Sequence, residues 1–174
     1  LIKPSINVNI NLKVDNVKQL MAALDALEHR EVLVGFPADE PDRNPDPNGS
    51  TFQPTNALIA YVQNQGSAAR NIPAREFMES GTLSVAPAMV DKLEQVGQKA
   101  LEGDVRSVEK GLMQVGLIAE AGIKNRINSN ISPPLSQSSL AKRRRRGRSG
   151  TNTLVDTGQL RNAVTAVVRT KEPR

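Results

Sequence analysis

Residues 104–128 read Asp104-Val-Arg-Ser-Val-Glu-Lys-Gly-Leu-Met-Gln-Val-Gly-Leu-Ile-Ala-Glu-Ala-Gly-Ile-Lys-Asn-Arg-Ile-Asn128. Val108, Leu112, Val115, Ala119, Ile123 and Ile127 recur at spacings of three and four, the period of a helix with one apolar stripe. Asp104 stands where an N-cap belongs, so the pattern predicts a helix over about 105–128. Gly111, Gly116 and Gly122 interrupt it, at about 1 kcal/mol each relative to alanine. They have two readings. Either they let another helix approach the backbone closely, a neighbouring copy's among the candidates, or the helix is soft and frayed.

Upstream, Val85, Met89, Val90, Leu93, Val96 and Ala100 predict a second long helix over about 84–101. Before it, Arg70–Phe77 reads as an extended, proline-containing segment. Thr55 can cap a short helix with Ala57, Leu58, Tyr61 and Val62 turned inward and Gly66 just past its end. Nearer the amino end, Ile6, Val8, Ile10, Leu12 and Val14 alternate with polar residues, which predicts a strand over 6–14. Val17, Leu20, Met21, Leu24 and Leu27 predict a helix over about 16–28, and Val32, Val34 and Phe36 share one side of a strand over 31–36. Downstream, 164–170 reads as a strand, after a one- or two-turn helix over 158–163. The expected fold is α+β: a small antiparallel sheet from 6–14, 31–36 and 164–170, covered on one face by two to three helices. With no repeat and no linker, 1–174 reads as a single domain.

Two irregular stretches carry opposite charge. Residues 37–54 hold Pro37, Pro41, Pro45, Pro47 and Pro54, and Asp39, Glu40, Asp42 and Asp46 against Arg43. Proline fixes φ and removes a donor, so an exposed acidic loop is expected. Residues 131–152 hold Lys142, Arg143, Arg144, Arg145, Arg146 and Arg148. Taking these six charges from the net +5 leaves −1, so the basicity is local. Ser138–Arg146 can make a short helix, although adjacent like charges oppose it in isolation. The block has three readings: a solvated run, a surface for DNA phosphates, or a dock for an acidic protein surface such as the 39–46 loop of a neighbouring copy.

Composition narrows the chemistry. With no cysteine, disulfides, thiolate metal sites and cysteine nucleophiles are excluded. One histidine, His29, excludes a multi-histidine metal cluster within the chain, and it reads as a solvated helix-end residue. Three Phe and one Tyr are too few for a base-stacking platform. No run of 18 apolar residues suggests a membrane span. The chain starts at Leu1, which leaves its original amino end open. No phosphate-binding glycine loop, calcium loop or nucleophile elbow occurs, so no cofactor or metal is expected. Asp156-Thr157-Gly158 resembles the aspartic-protease signature, whose chemistry needs two carboxylates about 3 Å apart sharing a proton. The favoured reading is a strand-to-helix turn, with Asp or Thr capping and Gly relieving φ strain. The chain is expected to be non-enzymatic.

The order of motifs is more specific than any one of them. Val32-Leu-Val-Gly-Phe-Pro37 is followed by Asn56-Ala-Leu-Ile-Ala-Tyr-Val-Gln-Asn-Gln-Gly66, then Ile72-Pro-Ala-Arg-Glu-Phe77 and a long helical region. Pro133-Pro-Leu-Ser136, the basic stretch and Leu154-Val-Asp-Thr-Gly-Gln-Leu-Arg-Asn162 complete it. Over roughly residues 30–170 this resembles the tail-completion and neck proteins of tailed bacteriophages, which join head to tail. The resemblance implies a structural virion protein, assembled in the host cytoplasm into a hexameric or dodecameric ring. Its partners would be copies of itself, the head connector or adaptor, and tail-tube or terminator proteins, with genomic DNA passing through the lumen unread. It further implies that 37–54 and 131–152 contact neighbours or DNA. Ile72, Pro73, Ala74, Arg75 and Phe77, with Asp156, Thr157, Gly158 and Leu160, would fix the local folds at the loop bases. The alternatives are a tail-terminator ring and a free, nonspecific DNA-binding module.

Overall fold

The computed structural model describes residues 14–38 and 54–171. In chain order the elements are α1 (Val14–Glu28), β1 (Arg30–Gly35), α2 (Asn56–Gln65), a 3-10 turn (Ala68–Arg70), α3 (Phe77–Ser84), α4 (Ala86–Leu101), α5 (Val105–Asn128), α6 (Gln137–Arg145), α7 (Gln159–Asn162) and β2 (Thr165–Thr170). The class is α+β with a small sheet. Among the described residues that sheet has two strands, β1 and β2, paired antiparallel with Val32 opposite Val168 and Val34 opposite Ala166. The strand expected over 6–14 lies outside the described residues except for Val14, which opens α1.

Helix α5 is the frame. It packs against α1, α3, α4, α7 and both strands. Its six predicted apolar positions are all buried, because one continuous stripe faces neighbours along the whole rod. Asp104 caps it, accepting a hydrogen bond from the Ser107 amide at 3.1 Å. Bonding to Ser107 holds the Asp104 carboxyl below the usual carboxylate range. That part of the cap's stability is present at neutral pH and is lost only as acid titrates the carboxyl below that range.

Two apolar clusters flank α5. One gathers Ala60, Phe77, Ile123, Ile127, Ile131, Leu154, Leu160 and Val164, with Phe36 packed edge-on to Phe77 at 6.1 Å. The other joins Ala23 and Ala26 of α1, Val96 and Ala100 of α4, and Val108 and Leu112 of α5.

The glycines of α5 serve close approach within the chain, not a neighbouring copy. A Cβ on Gly122 would lie 2.6 Å from the Gly81 carbonyl oxygen, and one on Gly81 would lie 2.8 Å from the Ile123 Cα. Gly116 faces Ala166 and Val32 at 3.0 Å, and Gly111 accepts a Val96 methyl. The two helices α3 and α5 therefore meet backbone to backbone.

Several expectations are corrected. The segment before residue 84 is already helical from Phe77, because the Asn64 Oδ1 accepts from the Met78 amide at 3.1 Å and starts α3 there. Two helices, α1 and α2, present a different face from the one expected, and α4 buries only part of its expected stripe. In α1, Ala23 and Ala26 are buried while Val17, Met21 and Leu24 are exposed; in α2, Ala60 is buried while Leu58 and Tyr61 are exposed. In α4, Val96 and Ala100 are buried while Val90 and Leu93 are exposed. In α1 and α2 alanine faces inward and the bulky stripe one position round is left outside, whereas in α4 the expected Val96 and Ala100 are covered and Val90 and Leu93 are open.

Gly122→Ala and Gly81→Ala are expected to lose about 1–3 kcal/mol by overpacking, despite the gain in helix propensity. Gly97, in the middle of α4 with nothing within 4 Å of its Cβ position, gives the opposite sign: Gly97→Ala stabilises by about 0.5–1 kcal/mol. Urea unfolding of the three variants checks both signs.

Candidate functional site

The Ile72–Phe77 motif folds back on the helix that precedes it. Gly66 ends α2 at φ +78°, with its amide on the Val62 carbonyl. Ser67 and Ile72 then exchange backbone hydrogen bonds of 2.8 and 2.9 Å around the 3-10 turn. The Arg75 amide donates to the Gln63 carbonyl at 2.9 Å. Its side chain, 5% exposed, donates to the Gln63 Oε1 at 3.3 Å and to the Pro133 carbonyl at 2.9 Å. Burial lowers the Arg75 pKa from its ordinary value, yet a guanidinium stays charged at neutral pH. Arg75 thus ties the start of the 131–152 segment to α2. Phe77 enters the first cluster.

The basic stretch is built, not simply solvated. Ser136 caps α6, accepting from the Ser139 amide at 3.2 Å. At the other end Gly147 takes φ +71°. Its amide donates to the Arg144 carbonyl at 2.9 Å, and the Arg148 amide to the Arg143 carbonyl at 3.0 Å. This pair of bonds around a left-handed glycine is a Schellman stop. Residues 137–145 are therefore helical, close to the short helix allowed over 138–146, which corrects the picture of 131–152 as a loop throughout. Like charges in the last turn are tolerated because they complement the carbonyl end of the helix dipole.

Arg143 turns inward. Its Nη1 donates to the carbonyls of Gly150, Asn152 and Val155 at 3.0, 2.7 and 3.2 Å, and its Nε lies 3.4 Å from Asp156 Oδ1. Arg148 takes the other oxygen of Asp156 at 2.5 Å. Asp156 is thus a clamp holding the two ends of the basic stretch. Thr157 Oγ1 accepts from the Gln159 amide at 3.4 Å, Gly158 (φ +82°) turns the chain into α7, and Leu160 is buried in the first cluster. Asn152, Thr153 and Asn130, unremarked in the sequence, complete the base. Asn152 Oδ1 accepts the amides of Leu154 and Val155, Thr153 Oγ1 donates to the Ile131 carbonyl, and Asn130 Oδ1 accepts the Thr153 amide.

The structure therefore splits the predicted basic block. Arg143 and Arg148 are fastened inside the chain. Lys142, Arg144, Arg145 and Arg146 are exposed. The acidic residues Asp39, Glu40, Asp42 and Asp46 lie outside the described residues. His29 is exposed at the end of α1, 3.1 Å from the Asp25 carboxylate.

Two other surface features remain. A groove of about 240 Å³ is lined by Phe36, Ala57, Ala60, Tyr61, Asn64 and Met78. It presents no carboxylate or imidazole, and its Asn64 oxygen is already engaged by α3. The bulky stripes of α1, α2 and α4 stand open: Val90 is 61% and Leu101 71% exposed, and Val17 and Met21 are 62% each. Among the described residues no group of three or more His, Asp or Glu is placed to hold a metal ion, and no helix is long and apolar enough to cross a membrane. No protein-family model, curated protein or solved structure matches the chain.

Arg143→Ala is expected to cost about 2 kcal/mol, because hydrogen bonds to a charged group contribute about 1.5–3 kcal/mol. It should also speed hydrogen exchange across 147–157. Arg144→Ala, one residue along but exposed, is expected to stay within about 0.5 kcal/mol of the parent. Urea unfolding and exchange mass spectrometry distinguish the two.

Proposed function

We propose that this chain is a structural protein that closes a ring of like copies at the head–tail junction of a tailed bacteriophage, leaving a lumen for the genome. The observation that carries the reading is the set of open apolar stripes on α1, α2 and α4. Sequences that keep such stripes at helical spacing, but turn alanine inward, have bulky side chains to spare for other molecules. Exposed apolar surface of this kind marks contact faces. A ring needs heterologous contacts, in which one patch meets a different patch on the next copy. Three stripes on three helices supply distinct patches.

The motifs that resemble the neck family support the reading in a second way. Arg75, Phe77, Asp156, Gly158 and Leu160 are used in holding the fold together, not in presenting reactive groups. Asp156 is paired with two guanidinium groups of its own chain.

Two outcomes are expected. Particles made without this protein should appear in electron micrographs as separate filled heads and finished tails of normal length. Joined particles contradict the proposal, and tails of uncontrolled length favour the terminator reading instead. Val90→Glu with Leu101→Glu should leave the isolated chain's stability nearly unchanged, since both side chains are already exposed. The same pair should abolish head–tail joining in a complementation assay; normal joining would exclude the α4 stripe as a contact face.

A further inference from the structure

The partner of the basic segment follows from what surrounds it. Lys142, Arg145 and Arg146 are spaced one, three and four along the chain, so they fall within one arc of α6 and its cap. At about 100° per residue Arg144 lies about 100° from Arg145 and about 160° from Lys142 and Arg146, so the four charges span more than half of the helix circumference, and Arg143 fills the remaining side, where it anchors the helix. All four outward residues are exposed, and no described carboxylate pairs with any of them. Their position is fixed by the Ser136 cap, the Gly147 stop and the Asp156 clamp, so the charges are held on a built surface and not on a loose tail.

The segment itself also carries no exposed apolar anchor. Among the described residues, no large hydrophobic side chain between Leu117 and Val167 is exposed. Protein–protein interfaces centre on apolar and aromatic anchors and are depleted in charge at their core. Nucleic-acid interfaces are polar and strongly positive. The open apolar side chains lie on α1, α2, α3, α4, α5 and the strands, away from α6 in sequence. We infer that α6 is a duplex-phosphate-binding helix, with Lys142, Arg144, Arg145 and Arg146 contacting the sugar–phosphate backbone without reading sequence. This deepens the ring reading by naming the side chains that meet the genome, and its test is separate from that reading.

Contact with phosphates releases counterions, with a slope of about −0.9 in log affinity against log salt per phosphate on duplex DNA. Four contacts predict a slope of about −3.6, or about 150-fold weaker binding between about 50 and 200 mM salt. The test is fluorescence anisotropy of the full chain with short labelled duplexes of random and of fixed sequence. Equal affinity for the two duplexes and this slope are expected. Lys142→Gln, Arg145→Gln and Arg146→Gln together should flatten the slope to about −0.9. Should that triple variant fail to fold, Arg145→Lys with Arg146→Lys keeps the charge and should retain the parent slope. Polyglutamate of matched charge concentration as competitor separates the sources. If it fails to displace the duplex, the inference stands; if it binds the chain more tightly than the duplex does, α6 is a dock for acidic protein and the inference falls. Salt-independent binding, or a folded triple variant that binds as the parent does, also overturns it. A chain that binds DNA in this way yet is dispensable for joining heads to tails leaves this inference intact and removes the ring.

Discussion

Everything in the fold leans on how closely other elements can approach α5. Where α3 crosses it, Gly81 and Gly122 face each other with carbonyl oxygens where Cβ atoms would be. Where β1 and β2 lie against it, Gly116 leaves room for Val32 and Ala166. Each glycine weakens the isolated helix, and each is offset by the packing that it admits. The short spacing lets α5 touch four helices and both strands at once. The same economy places alanine on the inner faces of α1 and α2, and Ala100 beside Val96 on that of α4. Bulk that would otherwise fill a core is left on the outside.

That constraint explains which features were legible in the sequence. The α5 stripe, the Asp104 and Thr55 caps, the Gly66 stop and the two strands expected over 31–36 and 164–170 are local patterns, and the structure has them, the strands within one residue at Arg30–Gly35 and Thr165–Thr170. The inner faces of α1 and α2, and how little of the α4 stripe is covered, were not legible. Hydrophobic periodicity locates an apolar arc but cannot tell which half of it is covered, because that depends on the distance to the partner helix. Val17, Met21, Tyr61, Val90 and Leu93 were therefore expected inside and lie outside. The start of α3 was missed for a similar reason: its cap is Asn64, twelve or more residues upstream in chain order, joined only after the turn at Ser67–Ile72 has closed.

The basic stretch shows the same division. Its charge was plain in the sequence, and so was the Asp156-Thr157-Gly158 turn. The link between them was not, since a carboxylate eight residues from one arginine and thirteen from another has no local signature. Ser136 and Gly147 were the available signals for α6: a capping hydroxyl at one end and a stop glycine at the other. Once those ends are fixed, Arg143 can leave the charged face and bind three carbonyls. What had read as six equivalent charges becomes two that build the segment and four that it displays. Arg75 and Asp156, drawn from motifs distant in sequence, fasten opposite ends of that one segment.

The distinctive residues are spent on holding the body's own shape, while open apolar stripes and one cationic helix are left for the contacts proposed with other molecules. A three-dimensional reconstruction of the head–tail junction in intact particles tests this most directly. The account predicts a closed ring of copies in which Val17, Met21, Val90 and Leu101 are buried between neighbours and α6 faces the central density of the genome. A junction that lacks the chain, or a ring with those four side chains in solvent and α6 turned to the outer wall, would contradict it.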